Sequence, residues 1–206
     1  MNKIRCLILF VIVFIVFLAN NYNLNFIENI GESFYSTNHD FPKVYDILHE
    51  NCAHVDKFEY ASDIILLILI IILIILDVNM FYDYLGFIIV IFVIRIFVNM
   101  LTILPKNNLC STSNSFSFRG GCYDKLFSGH FSSVFIATLL LYKNNYINII
   151  LLVLINLINS LFIILSRNHY TIDIVMAFFV SLFVYQNNFN VCHLISRFFL
   201  KSIVKK

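Results

Sequence analysis

From Ile64 to Leu76 the chain contains nothing but isoleucine and leucine, bounded by Asp63 and Asp77. A run so uniform cannot be the surface helix of a water-soluble domain, which needs one polar face. It reads as a helix with apolar surroundings on every side. A helix needs roughly 20 apolar residues, at about 1.5 Å each, to cross a hydrocarbon core of about 30 Å. Six runs approach that length, from about Ile4 to Ala19, Ala61 to Leu76, Tyr84 to Leu104, Phe127 to Tyr142, Tyr146 to Leu165 and Tyr170 to Tyr185. The expected fold is therefore all-α, a polytopic membrane protein with six transmembrane helices in a single domain over residues 1–206.

Composition agrees with that reading and removes two others. The chain is 60% hydrophobic and 13% charged, with a mean hydropathy of +0.86, outside the usual soluble range. With 23 Phe, only 5 Gly and 2 Pro, it has too little polar sequence for a disordered coil. A net charge of +2 without a basic cluster before the final residues excludes nucleic acid as a partner. The first run is preceded by Lys3 and Arg5, as a secretory signal would be. Its length, and the absence of a small-residue cleavage pattern in Asn20–Leu24, favour a span.

Six alternating spans place both termini on one side, with Lys3, Arg5, Lys143, Arg197, Lys201, Lys205 and Lys206. By the positive-inside tendency that side is the cytosol, although Lys43, Lys57, Lys106, Arg119, Lys125 and Arg167 lie opposite and make the bias slight. The longest polar stretch, Asn20 to Tyr60, is expected as a non-cytosolic loop. A second loop, Pro105 to Leu126, is rich in Ser and Asn and carries Gly120-Gly121 near its end, suiting an irregular connection. Cys52, Cys110 and Cys122 fall on the same non-cytosolic side, where one disulfide is admissible.

This arrangement brings two histidine-bearing segments to one membrane face, opposite the termini. The first is Cys122-Tyr123-Asp124-Lys125-Leu126-Phe127-Ser128-Gly129-His130, and the second is Ser166-Arg167-Asn168-His169-Tyr170-Thr171-Ile172-Asp173. His169 and Asp173 are four apart, so a helix that begins by His169 would place them on one face about a turn apart. A carboxylate there accepts the proton of one ring nitrogen and leaves the other with a lone pair, as a nucleophile or base requires. The bland alternative is a helix start that merely carries polar residues, with Asp173 too far along to be the cap itself. His130 alone reads equally well as a tolerated interface histidine.

Taken together these residues resemble the sphingomyelin synthase family, the lipid phosphotransferase branch of the type 2 phosphatidic acid phosphatase superfamily. That family carries a C-G-D-x-x-x-S-G-H segment and an H-Y-T-x-D segment on six-span proteins. Here the first is matched by Cys122, Asp124, Ser128, Gly129 and His130, with Tyr123 in place of Gly, and the second is intact from His169 to Asp173. Arg95 stands before Leu104-Pro105 at the family's spacing, with Thr102 also in place, whereas the family's Pro-Leu-Pro-Asp segment is poorly matched by Asp40-Phe41-Pro42-Lys43. The resemblance covers about Arg95 to Tyr185, and the motif-bearing part about 84–186.

The resemblance implies a double displacement at phosphorus. His169, oriented by Asp173, attacks a phosphoglyceride and holds the head-group phosphate as phosphohistidine, while His130 protonates the departing diacylglycerol and then activates ceramide. The implied partners are membrane lipids: ceramide, phosphatidylcholine or phosphatidylethanolamine, and diacylglycerol. A homo-oligomer is left open. No metal or other cofactor enters the scheme, and the sequence offers no ligand cluster with zinc or calcium spacing. The implied location is a Golgi, endoplasmic reticulum or plasma membrane, with a lumenal site.

Transferring phosphoryl groups accumulate negative charge, so cations or aimed donors should complete the site. Arg167 and Lys125 are nearest in sequence. Arg95 lies inside a span, where an unpaired Arg costs about 2.5 to 3.5 kcal/mol. It reads either as ion-paired with Asp83 or snorkelling, or as contacting phosphate or supporting the site from beneath. Ser128 and Gly129 offer amides at a helix start, or a simple helix entry. Asp124 would assist His130 or bind a choline-type cation, unless it is a solvated loop acid. Three alternatives to a choline-type transferase stay in view. An inositol phosphorylceramide synthase also fits Ser-Arg-x-His-Tyr-Thr. A lipid phosphate phosphatase is disfavoured because no Arg precedes Pro42 or Pro105. A non-catalytic lipid binder or scramblase is disfavoured because both histidines and the Asp are present.

Overall fold

A computed structural model describes residues 3–37, 44–52, 55, 58–105, 123, 126–167 and 169–192. Among them the chain forms seven helices and no strand. They are α1 (Lys3–Thr37), α2 (Ile47–Asn51), α3 (Phe58–Leu76), α4 (Val78–Leu101), α5 (Gly129–Lys143), α6 (Ile149–Leu165) and α7 (Thr171–Gln186). Most begin where the sequence supplies a short polar cap. Asp77 alone separates α3 from α4 and accepts from the Asn79 amide at 2.8 Å. Ser128 caps α5 through the Phe131 amide at 3.3 Å, and Asn148 caps α6 through the Leu151 amide at 2.9 Å. Between α5 and α6 the chain turns through Asn145 at φ 61°, a left-handed position that asparagine tolerates.

The expected spans correspond to α1 and α3–α7. Among the described residues two helices are long and apolar enough to cross a bilayer, Leu7–Tyr35 and Val78–Leu101, while Tyr60–Leu76, Ile149–Leu165 and Thr171–Gln186 are apolar but shorter. At about 1.5 Å per residue the 19 residues of α3 reach ~28 Å and the 17 of α6 ~26 Å. Large apolar side chains cover their outer faces, including Ile64, Leu67, Ile68, Ile75, Ile150, Leu154 and Leu161. Contiguous exposed apolar surface of this kind fits a lipid surrounding and supports membrane association.

One expectation is corrected. The segment from Asn20 is not a loop over its first part, because α1 continues to Thr37. Of its buried positions, Asn20, Asn23, Leu24, Ile27 and Gly31 form one helical stripe, with Asn21 buried beside it. The stripe faces α4, against which α1 packs, and the Asn23 amide reaches the Ile96 carbonyl at 3.4 Å. Asn20, Asn21 and Asn23 are buried, whereas Asn25, Asn29, Glu32 and Ser33 of the same helix are exposed.

α5 is the centre of the molecule. It packs against α3, α4, α6 and α7, and almost every residue from Gly129 to Leu141 is buried. Ser132, Ser133 and Ala137 keep its surface small, letting neighbouring helices approach closely. The core around it is built from Leu73, Phe87, Ile91, Val134, Ile136, Ile163 and Val184, among others.

Candidate active site

α6 ends at Leu165, the chain turns through Ser166 and Arg167, and α7 begins at Thr171 after an extended Tyr170. That turn delivers His169 and Asp173 to the same place. Nδ1 of His169 donates to Oδ2 of Asp173 at 3.2 Å, and the same oxygen accepts from the Tyr170 amide at 2.9 Å. Asp173 thus reaches back to the start of its own helix, as an acid in the third helical position does. Capping and orienting a histidine are not rival roles here, since one carboxylate does both. His169 is 5% exposed and Asp173 fully buried, so these donors also answer the cost of burying a carboxylate. With Nδ1 bonded to Asp173, a nucleophilic role for His169 falls to Nε2.

His130 is the second residue of α5, just after the Ser128 cap. Its Nε2 lies 2.8 Å from Oδ1 of Asp63, in the second turn of α3. The pair is more open than the first, with side chains 23% and 42% exposed. With the Asp63 carboxylate accepting, Nε2 carries the proton, and an acid–base role for His130 falls to Nδ1. The Ser128 amide donates to the Asp173 carbonyl at 3.4 Å, tying the start of α5 to the start of α7 and setting both histidines at one end of the helix bundle. Each histidine therefore has its own carboxylate. The sequence showed Asp63 only as the last charge before the Ile/Leu run. The clue available was that a second histidine called for a second acid, and Asp63 heads a span.

The remaining expected site residues fall in different places. Arg95 is buried on α4. Its Nε donates to the Phe127 carbonyl at 3.1 Å and Nη1 to Oδ1 of Asn20 at 2.9 Å, while the guanidinium lies 5.7 Å from the Phe92 ring. Asn20 and Phe127 are among its hydrogen-bond acceptors, and through them it braces α1 and the entry to α5. Gly129 sits directly against it, where an added Cβ would lie 3.6 Å from Arg95 Nε. Arg167, at φ 55°, donates through Nη2 to the His49 carbonyl at 2.8 Å and the Cys52 carbonyl at 3.4 Å. Asp124 and Lys125 lie outside the described residues, as do Asp40–Lys43, Cys110 and Cys122.

A second group that sequence reading missed comes from residues 44–52. Asp46 caps α2 through the amides of Leu48 at 3.0 Å and His49 at 3.3 Å. The same carboxylate accepts from the amide of Thr171 and, at 2.8 Å, from its hydroxyl. Burial opposes ionisation of Asp46, but the Thr171 donors together with His49 outweigh it and hold the carboxyl below the usual range. His49, itself buried, places Nε2 3.0 Å from the His169 carbonyl. Since a carbonyl only accepts, Nε2 carries the proton. Nearby, Tyr123 donates its hydroxyl to Glu32 at 2.8 Å and its amide to Glu28 at 3.0 Å. Its ring stacks on Tyr35 at 5.7 Å. Burial, then the Glu32 hydrogen bond and the charges of Glu32 and Glu28, push the Tyr123 phenol above its usual range.

Residues 121–190 match the family model described as PAP2 superfamily C-terminal. The matched stretch holds His130, His169, Asp173 and helices α5 to α7. The match supports kinship with the type 2 phosphatidic acid phosphatase-like superfamily, and with it a phosphatase or phosphotransferase acting on lipid. Comparison with curated proteins gives no match.

Proposed function

We propose that this chain is a sphingomyelin synthase-like phosphotransferase. In this reading it moves a phosphocholine or phosphoethanolamine head group from a glycerophospholipid to ceramide, and releases diacylglycerol. The observation that carries the reading is the His169–Asp173 pair, in which Asp173 engages Nδ1 and so assigns any attack to Nε2, at the same end of the bundle as a second histidine with its own acid.

In the first half-reaction Nε2 of His169 attacks phosphorus and the P–O bond to the glycerol breaks. The departing oxygen takes a proton from Nδ1 of His130, giving diacylglycerol and a phosphohistidine. In the second, Nδ1 of His130 accepts the proton of the ceramide primary hydroxyl, whose oxygen attacks phosphorus as the N–P bond breaks. Asp173 keeps Nδ1 of His169 protonated and stabilises the charge that the ring carries while bonded to phosphorus. Asp63 does the equivalent for His130. The Gly129 amide at the α5 start is suited to the non-bridging oxygens, and Ser128 fixes that start by donating its amide to the Asp173 carbonyl and accepting the Phe131 amide on its hydroxyl oxygen. Arg95 supports that start through Phe127 and Arg167 holds the turn before His169, while the resemblance gives Asp124 the role of assisting His130 or binding a choline-type cation.

The same reading takes α1 and α3–α7 as six spans of a single domain, with both termini cytosolic and the site on the lumenal side of a Golgi or related membrane. The test uses microsomes with fluorescent ceramide and defined phospholipid donors. The wild type is expected to form a phosphosphingolipid, and His130→Ala, His169→Ala and Asp173→Asn to lose it. Inositol phosphorylceramide from phosphatidylinositol alone would move the donor class. Phosphate release from phosphatidic acid without transfer would make the chain a phosphatase, and no turnover by the wild type would sink both enzyme readings.

A further inference from the structure

We infer that residues 44–52 form a strap that sets the position of the His169 nucleophile, with Asp46 and His49 as its positioning residues. The inference rests on His169 being the attacking group, as proposed above. Tyr170, the residue before α7, has no short polar side chain to cap the helix, so the first amides of α7 need acceptors from elsewhere. Asp173 takes the Tyr170 amide and Asp46 takes that of Thr171. A single carboxylate, Asp46, therefore satisfies the N-termini of both α2 and α7, and both helix dipoles favour its negative charge.

His49 then acts on the backbone of the nucleophile itself, through its Nε2 proton on the His169 carbonyl. Its ring also lies 5.6 Å from that of Tyr170. The strap is fastened at its far end as well. Arg167 holds the His49 and Cys52 carbonyls, and the Val55 amide donates to the Leu165 carbonyl at 3.0 Å. Residues on both sides of His169 are thus tied to one short segment, and the imidazole is left with little freedom except about its own side-chain bonds. An in-line attack at phosphorus needs this, because misplacing a reacting group by about 1 Å costs on the order of 10²-fold in rate.

The experiment uses the full chain in nanodiscs with phosphatidylcholine and ceramide, comparing His49→Leu, His49→Gln, Asp46→Ala and Asp46→Asn. Turnover and backbone hydrogen exchange over residues 166–174 are read in parallel. His49→Leu and Asp46→Ala are expected to speed exchange in that segment while leaving α5 protected. They should also lower kcat on the order of 10²-fold with KM unchanged. His49→Gln, which keeps an N–H donor at the reach of Nε2, should recover most of both. If His49→Leu fails to accumulate, Asp46→Asn against His49→Gln carries the same comparison. Unchanged exchange in Asp46→Ala and in the His49 variants overturns the strap whatever turnover does. Faster exchange with wild-type kcat overturns its part in positioning. A wild type inactive on every donor and acceptor overturns the transferase reading, and with it any part for the strap in turnover, while exchange still decides whether the strap holds the turn.

Discussion

Asp63 and Asp173 serve two histidines from different helices, and they differ in how openly they do it. Asp173 is sealed within the protein, where its one oxygen serves both a helix amide and a ring nitrogen. Asp63 is partly exposed on α3, and its carboxylate meets the His130 ring at the edge of the bundle. Replacing it by Asn leaves the shape but not the charge or the tautomer preference. Asp63→Asn is expected to lower kcat about 10²-fold, the lower end of what a positioned acid–base group contributes. In the Asp63→Asn, His130→Ala double variant the loss should match that of His130→Ala alone, because groups acting as a unit are not additive. Additive losses in steady-state turnover would separate the two residues. The His169–Asp173 pair was legible in the sequence from its four-residue spacing, but the helix that spacing assumed starts only at Thr171, and Asp173 meets His169 by reaching back past an extended Tyr170. Asp63 was not, because its pairing with His130 exists only once α3 packs on α5, some 67 residues apart.

Among the elements, α1 shows why a polar stretch need not be a loop. Its second half presents asparagines to α4 and a glycine to the Tyr123 ring. Tyr123 stands where the resemblance places a Gly, and the small residue that makes room for it is Gly31. An added Cβ at Gly31 would overlap the Tyr123 ring. Alanine gains about 1 kcal/mol in helix propensity, but overpacking costs about 1 to 3 kcal/mol, so Gly31→Ala should be destabilising on balance. Thermal unfolding in detergent measures this, and Gly31→Ala should cost less in a Tyr123→Ala background than in the wild type.

The strap gives a pH dependence of its own. Asp46 has a folded-state pKa below its ordinary value of 3.8. Its contribution is therefore fully present above that value and is lost as the pH falls through the lower folded value. Hydrogen exchange in residues 44–52 and 166–174 should stay slow from neutral pH down toward 3.8 and quicken together below it, after correction for the intrinsic pH dependence of exchange. Asp46→Asn should remove that acid limb. Neither the strap nor the extent of α1 was readable from the sequence, since apolar periodicity reports which faces avoid water and not which polar residues face protein. The apolar runs themselves were legible, and α3, α6 and α7 begin within a few residues of where hydropathy places them.

For the whole molecule, the proposed orientation puts the α5–α6 turn and the strap on opposite sides of a membrane. In a cysteine-free background, Lys143→Cys should react with an impermeant thiol reagent added to sealed microsomes. Asn51→Cys should react only after permeabilisation. Both positions are exposed, so accessibility reports sidedness. Reaction of both from outside, or the reverse pattern, would contradict the six-span arrangement.

The burial of α5 on every side has a consequence for how such a chain enters a membrane. This helix spans only 15 residues and includes His130, Ser132, Ser133 and Thr138, so by itself it is a weak candidate for partition into lipid. Its polar groups become acceptable once α3 and α4 stand ready to receive it, and α6 and α7 then complete its enclosure. Biogenesis should therefore depend on the order of synthesis. A ribosome-bound chain ending soon after Lys143 would hold α5 only against α3 and α4, and the helix that carries His130 would be the last to become protected.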